Sequence, residues 1–181
     1  MITSSEYTQL KAFARQDGFF IGLLWIATLG CLIGSMTDPN WQIGFVAGVC
    51  FTPYLAYKRL QNYRDNVVES NISYRRGFVF LTMAMFYASL IIAAATFAYF
   101  YFLDKGLMLT TLQHNMSMPE LREAFKQAGM PLSELDKEVQ MMAQTRPIDI
   151  AFSILCNAII SSTILSAFIA LFGRNREKAR G

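Results

Sequence analysis

Four long apolar segments constrain this chain more than any other feature. They cover residues 19–36, 41–57, 78–103 and 148–172, and the only charged side chain within them is Asp149, at the start of the last. A helix rises about 1.5 Å per residue, so about 20 apolar residues cross a hydrocarbon core of about 30 Å. Hydrocarbon offers a peptide group no hydrogen-bond partner, so such segments are expected to be helices. The sequence therefore predicts an all-α integral membrane protein, with residues 1–181 forming one domain of four transmembrane helices.

The basic residues predict the orientation of these helices. Eleven of the 16 lysines and arginines lie before the first segment, in the loop between the second and third, or after the last. The other five are spread among acidic residues in the long loop 104–147. Because positive charge is concentrated in cytoplasmic loops, both termini are expected in the cytoplasm and loop 104–147 outside it.

The outer loop has a helical pattern of its own. Ser117-x-x-Glu120 resembles a capping box, and Gly129 is typical of a helix end. A second amphipathic stretch begins after Pro131. We expect a periplasmic helical hairpin at about residues 117–144.

Small residues predict how the first two helices pack. Gly30-x-x-x-Gly34 and Gly44-x-x-x-Gly48 lie at similar distances from the short turn 38–40. In lipid, helix association depends on close packing of small residues and on interhelical hydrogen bonds. The four glycines therefore predict a tight antiparallel hairpin.

The last apolar segment carries a second packing pattern. Ser162 and Ser166 belong to a line of small residues at steps of four, and Asn157 lies on a neighbouring polar line. We expect Asn157 to bond to a neighbouring helix. The alternative is that it contacts a substrate, since polar groups within membranes are often functional.

A dense basic cluster follows the second segment. It could hold an anionic lipid or a cytoplasmic partner, or it could serve only to set the topology. Its members are Lys58, Arg59, Arg64, Arg75 and Arg76.

The sequence offers little that predicts catalysis. It contains no Cys/His cluster with metal-ligand spacing, no paired catalytic carboxylates and no nucleophile beside a base. We therefore expect no enzyme activity, catalytic residue, metal or cofactor, and no nucleic-acid partner.

Several short motifs carry a resemblance to a known family. The motifs are Tyr63-Arg64-Asp65, the stretch Ile72-Ser-Tyr-Arg-Arg-Gly-Phe78, Ala128-Gly129-Met130 and Glu138-Val-Gln-Met-Met142. With the overall layout they resemble the bacterial membrane family catalogued as domain of unknown function 4199, although Arg75 stands where that family would be expected to have a small residue. The resemblance implies four spans and the inner membrane of a Gram-negative bacterium. Family members are often encoded near a polyprenyl-phosphate sugar transferase, which points to a possible partner.

Three classes of function remain after this reading, and an enzyme is the least favoured. We expect a non-catalytic inner-membrane accessory or scaffold subunit that contacts membrane lipids and either a protein partner or itself. The protein partner to consider is a membrane-associated glycosyltransferase acting on lipid-linked sugars. The alternative is a small transporter or lipid flippase working as a homo-oligomer.

Overall fold

The chain is helical throughout the regular structure that is described. A computed structural model describes residues 4–68, 72–104, 106–127, 129, 131–133, 137, 140–141 and 144–173. We number the α-helices whose bounds are described in chain order: α1 Ser4–Gly34, α2 Trp41–Val67, α3 Tyr74–Ala98, α4 Leu107–Ser117, α5 Pro119–Gln127 and α6 Pro147–Gly173. A π-helical turn, Tyr99–Leu103, extends α3. The predicted all-α class is confirmed for these residues.

Three helices of the described chain are long and apolar enough to cross a membrane. They are Glu6–Gly34, Tyr74–Leu103 and Pro147–Gly173. The second predicted span, in α2, is less apolar as a helix because its last ten residues include Lys58, Arg59, Arg64 and Asp65. Three such helices indicate a multi-pass membrane protein. The fourth crossing stays a prediction.

Helix α3 lies at the centre of the bundle. It packs against α1 on one side and α6 on the other, while α2 packs mainly against α1 and more sparsely against α6. The fully buried residues Phe80, Leu81 and Ala84 of α3 form the middle of the hydrophobic core. We call the end of the bundle that contains Arg59 and Arg76 the basic end, and the opposite end the turn end.

The turn end takes its name from the connection between α1 and α2. The carboxylate of Asp38 accepts hydrogen bonds from the backbone and side-chain nitrogens of Asn40, at 3.0 and 2.9 Å. This local bonding reverses the chain within a few residues, as the sequence Asp-Pro-Asn favours. Helices α1 and α2 therefore run antiparallel from a short loop.

The helical insert begins earlier than its sequence predicts. Helix α4 starts at Leu107, where Gly106 has a φ of 88° and the Asp104 carboxylate accepts from the Met108 backbone nitrogen. The Ser117 hydroxyl donates to the His114 carbonyl at 2.6 Å, so residue 117 ends α4 and does not cap α5.

The second half of the insert is described only in part. Helix α5 ends at Gln127, and Gly129 adopts a φ of 76°, in keeping with the predicted stop. Residues 132, 133, 137, 140 and 141 are helical. The rest of the second predicted insert helix, and the basic tail after Gly173, lie outside the described residues.

Candidate functional site

Helix α1 lies against the backbone of α3 at Gly18. A Cβ atom placed on Gly18 would collide with the Ala84 carbonyl oxygen, and one on Gly22 would lie 3.0 Å from Ile91. Ala14, four residues before Gly18, is fully buried. These three small residues at steps of four let the two backbones approach. The sequence reading missed this line, although the same spacing rule that selected Gly30 and Gly34 would have found it.

The predicted glycines of the α1–α2 hairpin differ in their surroundings. A Cβ on Gly34 would lie 3.0 Å from the Trp41 ring, one on Gly44 would lie 2.8 Å from the Cys31 sulfur, and one on Gly48 would collide with the Thr28 hydroxyl. The Trp25 indole also donates to the Thr52 hydroxyl at 3.1 Å. In these four contacts, later residues of α2 meet earlier residues of α1. The two helices are therefore antiparallel and their register is defined.

Gly30 is placed differently from the other three. Nothing lies within 4 Å of a Cβ added there, so the structure brings no neighbour against this glycine. Helix α1 turns about 100° per residue, and its contact with α2 at this level is made instead through Thr28 and Cys31.

The predicted residues of α6 separate into two faces. Ser162 and Ser166 are buried in the bundle, and the Ser162 hydroxyl donates to its own helix at the Ile159 carbonyl. Asn157 is exposed and has no hydrogen bond to any described residue, and Ser153 and Ser161, on the same line, are also exposed. The expected bond from Asn157 to a neighbouring helix of the same bundle is therefore absent from the described part of the chain.

At the basic end, Arg59 joins α2 to α1. Its guanidinium lies 3.3 Å from the Asp17 carboxylate, whose side chain is only 6% exposed, and stacks 4.4 Å above the Phe20 ring. A buried carboxylate is costly unless a cation and hydrogen bonds compensate it, so this pair holds the two helices at one relative depth. Asp17 was not singled out from the sequence because it lies two residues before the apolar segment.

Two more arginines of the predicted basic cluster are engaged within the chain. Arg76 at the start of α3 lies 3.3 Å from Glu6 of α1. Arg64 pairs with Asp65 at 2.7 Å and donates to the Gly173 carbonyl, at the end of α6, at 3.4 Å. The hydrogen bond from Arg64 lowers the pKa of Asp65 below its usual range.

The remaining two members of the cluster face away from the bundle. Lys58 is exposed, with its ammonium 5.9 Å from the Tyr54 ring, and Arg75 is exposed at the start of α3. Being a lysine or an arginine was therefore not enough to predict which members of the cluster are exposed and which contact other helices. Three arginines of the predicted cluster contact other residues of the chain, whereas Lys58 and Arg75 are exposed.

Aromatic packing and a leucine close the bundle at this end. The Tyr63 ring stacks on Phe80 at 4.1 Å and 6°, and its buried hydroxyl has no partner among the described residues. Leu60 sits between α3 and α6, against Gly77 and Gly173, where any Cβ on Gly173 would strike it. Leu60 therefore plugs the space between α2 and α6 at the basic end.

On the side of Leu60 that is nearer the turn end, α2 and α6 separate and leave a lateral groove. The part nearer the turn end is a cavity of about 510 Å³ that reaches all four long helices. A second cavity of about 500 Å³ continues toward the basic end and shares Pro53 and Leu165 with the first. We define the lateral groove by six of its lining residues: Trp25, Val49, Pro53, Thr96, Leu165 and Phe172.

Among the described residues, no group of three His, Cys, Asp or Glu side chains is placed to hold a metal ion.

The apolar helices and a bundle without described strands define the class of a multi-pass membrane protein. A family model described as "Protein of unknown function (DUF4199)" matches residues 16–175. The chain belongs to this family, as the motifs in the sequence predicted. No curated protein and no solved structure matches the chain significantly.

Proposed function

We propose that this protein is a non-catalytic four-span scaffold or accessory subunit of the inner membrane, with both termini in the cytoplasm, and that it assembles through the exposed face of α6. A second copy of the chain is the partner we favour, and a membrane-associated glycosyltransferase acting on lipid-linked sugars is the heterologous partner to test.

The single observation that carries this proposal is the position of Asn157. The residue lies three positions from the midpoint of α6, about 5 Å along the helix axis, and its side chain is exposed. An amide without a hydrogen bond in an apolar medium costs several kcal/mol, on the order of 4–8 in the extreme of cyclohexane. A partner helix that supplies the missing bond would remove that cost.

The chemistry of the amide favours a second copy. Asparagine carries both donor and acceptor groups, so two Asn157 side chains related by a twofold axis can satisfy each other. Ser153 and Ser161, one turn on either side, offer small side chains that permit close approach.

The test is self-association of the protein in lipid bilayers, measured by energy transfer between labelled copies over a range of protein-to-lipid ratios. Asn157→Leu should weaken dimerisation about tenfold, since an interhelical hydrogen bond contributes about 1–2 kcal/mol. Asn157→Gln should retain most of the affinity, and Ile164→Leu, on the exposed part of the same helix, serves as control. Equal dimer fractions for wild type and Asn157→Leu would contradict self-assembly through this face.

The heterologous partner needs a separate measurement. Purification in mild detergent followed by mass spectrometry should recover a membrane-associated glycosyltransferase with the wild-type chain and less of it with Asn157→Leu. Recovery that does not depend on the α6 face would place any such partner elsewhere.

The lateral groove supports a second candidate, a small transporter or lipid flippase. An apolar groove that runs along α2 and α6 as far as Leu60 and Gly173 is a surface along which a lipid-moving protein could accommodate an acyl chain. Reconstitution with fluorescent phospholipids tests this candidate: lipid scrambling above that of protein-free vesicles would favour it over the scaffold.

A further inference from the structure

We propose that the lateral groove binds one acyl chain of an anionic phospholipid, with the lipid phosphate at the basic end beside Lys58. This inference goes beyond the scaffold role and rests only on the four-span arrangement proposed above.

The groove is long and lined by apolar side chains. The lining residues Ile154 and Phe172 are 18 residues apart on α6, or about 27 Å along a straight helix. An apolar space of this length fits an extended hydrocarbon chain.

The entrance of the groove faces the surrounding lipid. Val49 on the α2 side is 52% exposed, and Phe168 and Phe172 on the α6 side are 59% and 75% exposed. Leu60 against Gly173 closes the floor at the basic end. An acyl chain would therefore enter the groove laterally from the bilayer. The lipid headgroup would remain outside the contact between Leu60 and Gly173.

On the α2 side, the groove contains a proline and a hydrogen-bonded threonine. Pro53 has no N–H, so the carbonyl of Val49 lacks its usual donor four residues on. The Thr52 hydroxyl donates to the Gly48 carbonyl at 3.0 Å and accepts from the Trp25 indole. These bonds satisfy the Thr52 hydroxyl and the Trp25 indole, two of the polar groups that line the groove.

The positive charge beside the groove favours an anionic lipid and determines which end of the groove its headgroup occupies. Lys58 follows Tyr57, which lines the groove at the basic end, and its ammonium is exposed. Arg64, which is closer to Gly173, is already engaged by Asp65 and the end of α6. Among the described residues, Lys58 offers an exposed ammonium one position from the lining residue Tyr57, and a phosphate is the group that it would hold.

The chain provides its own reporter for the test. Its two tryptophans are Trp25, which lines the groove, and Trp41, which is 52% exposed near the turn end. In a Trp41→Phe background, phosphatidylglycerol with brominated acyl chains should quench Trp25 fluorescence by direct contact. In the converse Trp25→Phe background, quenching of Trp41 reports simple membrane embedding.

Two pairs of phenylalanine substitutions, one inside the groove and one outside it, provide a matched comparison. The pair Val49→Phe and Leu165→Phe adds bulk within the groove, and Val46→Phe with Ile164→Phe adds the same bulk on exposed positions one helix face away. The first pair should cut Trp25 quenching at least severalfold, and the second should leave it unchanged. Strong quenching of Trp41 without quenching of Trp25, or equal effects of the two pairs, would overturn the groove while leaving the membrane topology and the scaffold proposal intact.

The headgroup part is tested by lipid class. Brominated phosphatidylglycerol should quench Trp25 at lower mole fraction than brominated phosphatidylcholine, and Lys58→Gln should reduce this preference about fivefold. Lys11→Gln removes an exposed cation from α1 and should leave the preference unchanged. Equal quenching by both lipids in the wild type would overturn the phosphate contact, and quenching that falls as protein concentration in the bilayer rises would assign the groove to a second copy.

Discussion

The pairs α1–α3 and α2–α6 are built from helices of similar length that run side by side in the same direction, yet only the first pair is closed. In α1–α3, Gly18 and Gly22 bring the backbones together. In α2–α6, the facing positions Val49, Pro53 and Tyr57 are larger, and contact is restored only where Leu60 meets Gly173. Lipid supplies no hydrophobic force between helices, so small side chains, and not greater apolarity, determine which pair closes.

The largest expected effect comes from separating the closed pair. Gly18→Leu should lower the free energy of unfolding by more than about 3 kcal/mol, because its side chain must displace the α3 backbone. Gly30→Leu is the matched control and should be nearly neutral, since the space beside Gly30 is open. Thermal unfolding in detergent measures both, and similar losses for the two variants would refute the assignment of the close contact to α1–α3.

The second prediction concerns the ion pair that fixes α1 against α2. Arg59→Met should cost about 3 kcal/mol, at the low end for a buried pair because Arg59 is partly exposed. The double variant Asp17→Leu with Arg59→Met should regain most of that loss, because no uncompensated carboxylate remains. The same unfolding assay applies, and a double variant no more stable than Arg59→Met would show that the arginine acts through packing alone.

The open pair should tolerate truncation better than the core. Leu165→Ala in the lateral groove should cost about 1 kcal/mol or less, because its side chain already borders empty space. Leu81→Ala in α3 should cost about 2–5 kcal/mol, since that side chain is fully buried. Equal losses at the two positions would mean that the groove is closed in the membrane.

The smallest effect on stability is expected from a cross-link that tests register. In Gly44→Cys, the new Cβ would lie 3.5 Å from the Cβ of Cys31, which is within the range of a disulfide. Mild oxidation should join the two residues within one chain, with little change in unfolding temperature before oxidation. Ala47→Cys, on an exposed face of the same helix, is the control and should not cross-link to Cys31.

Sequence patterns predicted the positions of the long helices well, but they did not predict which face of each helix contacts a neighbour. The length and apolarity of segments 19–36, 78–103 and 148–172 were sufficient to predict three long helices, and Asp38 was sufficient for the turn. Gly30 and Gly34 satisfy one spacing rule equally, but only Gly34 has a neighbour, because the rule does not state which face meets a partner. A single sequence fixes where a helix lies along the chain more strongly than how it is rotated about its axis.

The candidate sites were harder to predict for the same reason. The basic cluster was recognised by composition, but the engagement of Arg59 with Asp17 and of Arg76 with Glu6 depends on residues more than 40 positions apart. The groove has no motif at all, since it arises where larger side chains keep two helices apart.

The short loop after α1 also bears on how the chain enters a membrane. Helix α2 is the least apolar of the four long helices, and a segment of that kind would partition weakly from the translocon by itself. The Asp38–Asn40 turn joins α2 to α1, and the Trp25–Thr52 hydrogen bond links the two helices. Helix α2 can therefore insert together with α1 as a helical hairpin. In the proposed four-span arrangement, α1 would then act as an insertion chaperone within the same polypeptide, and lengthening this loop would leave a fraction of newly made chains with α2 outside the bilayer.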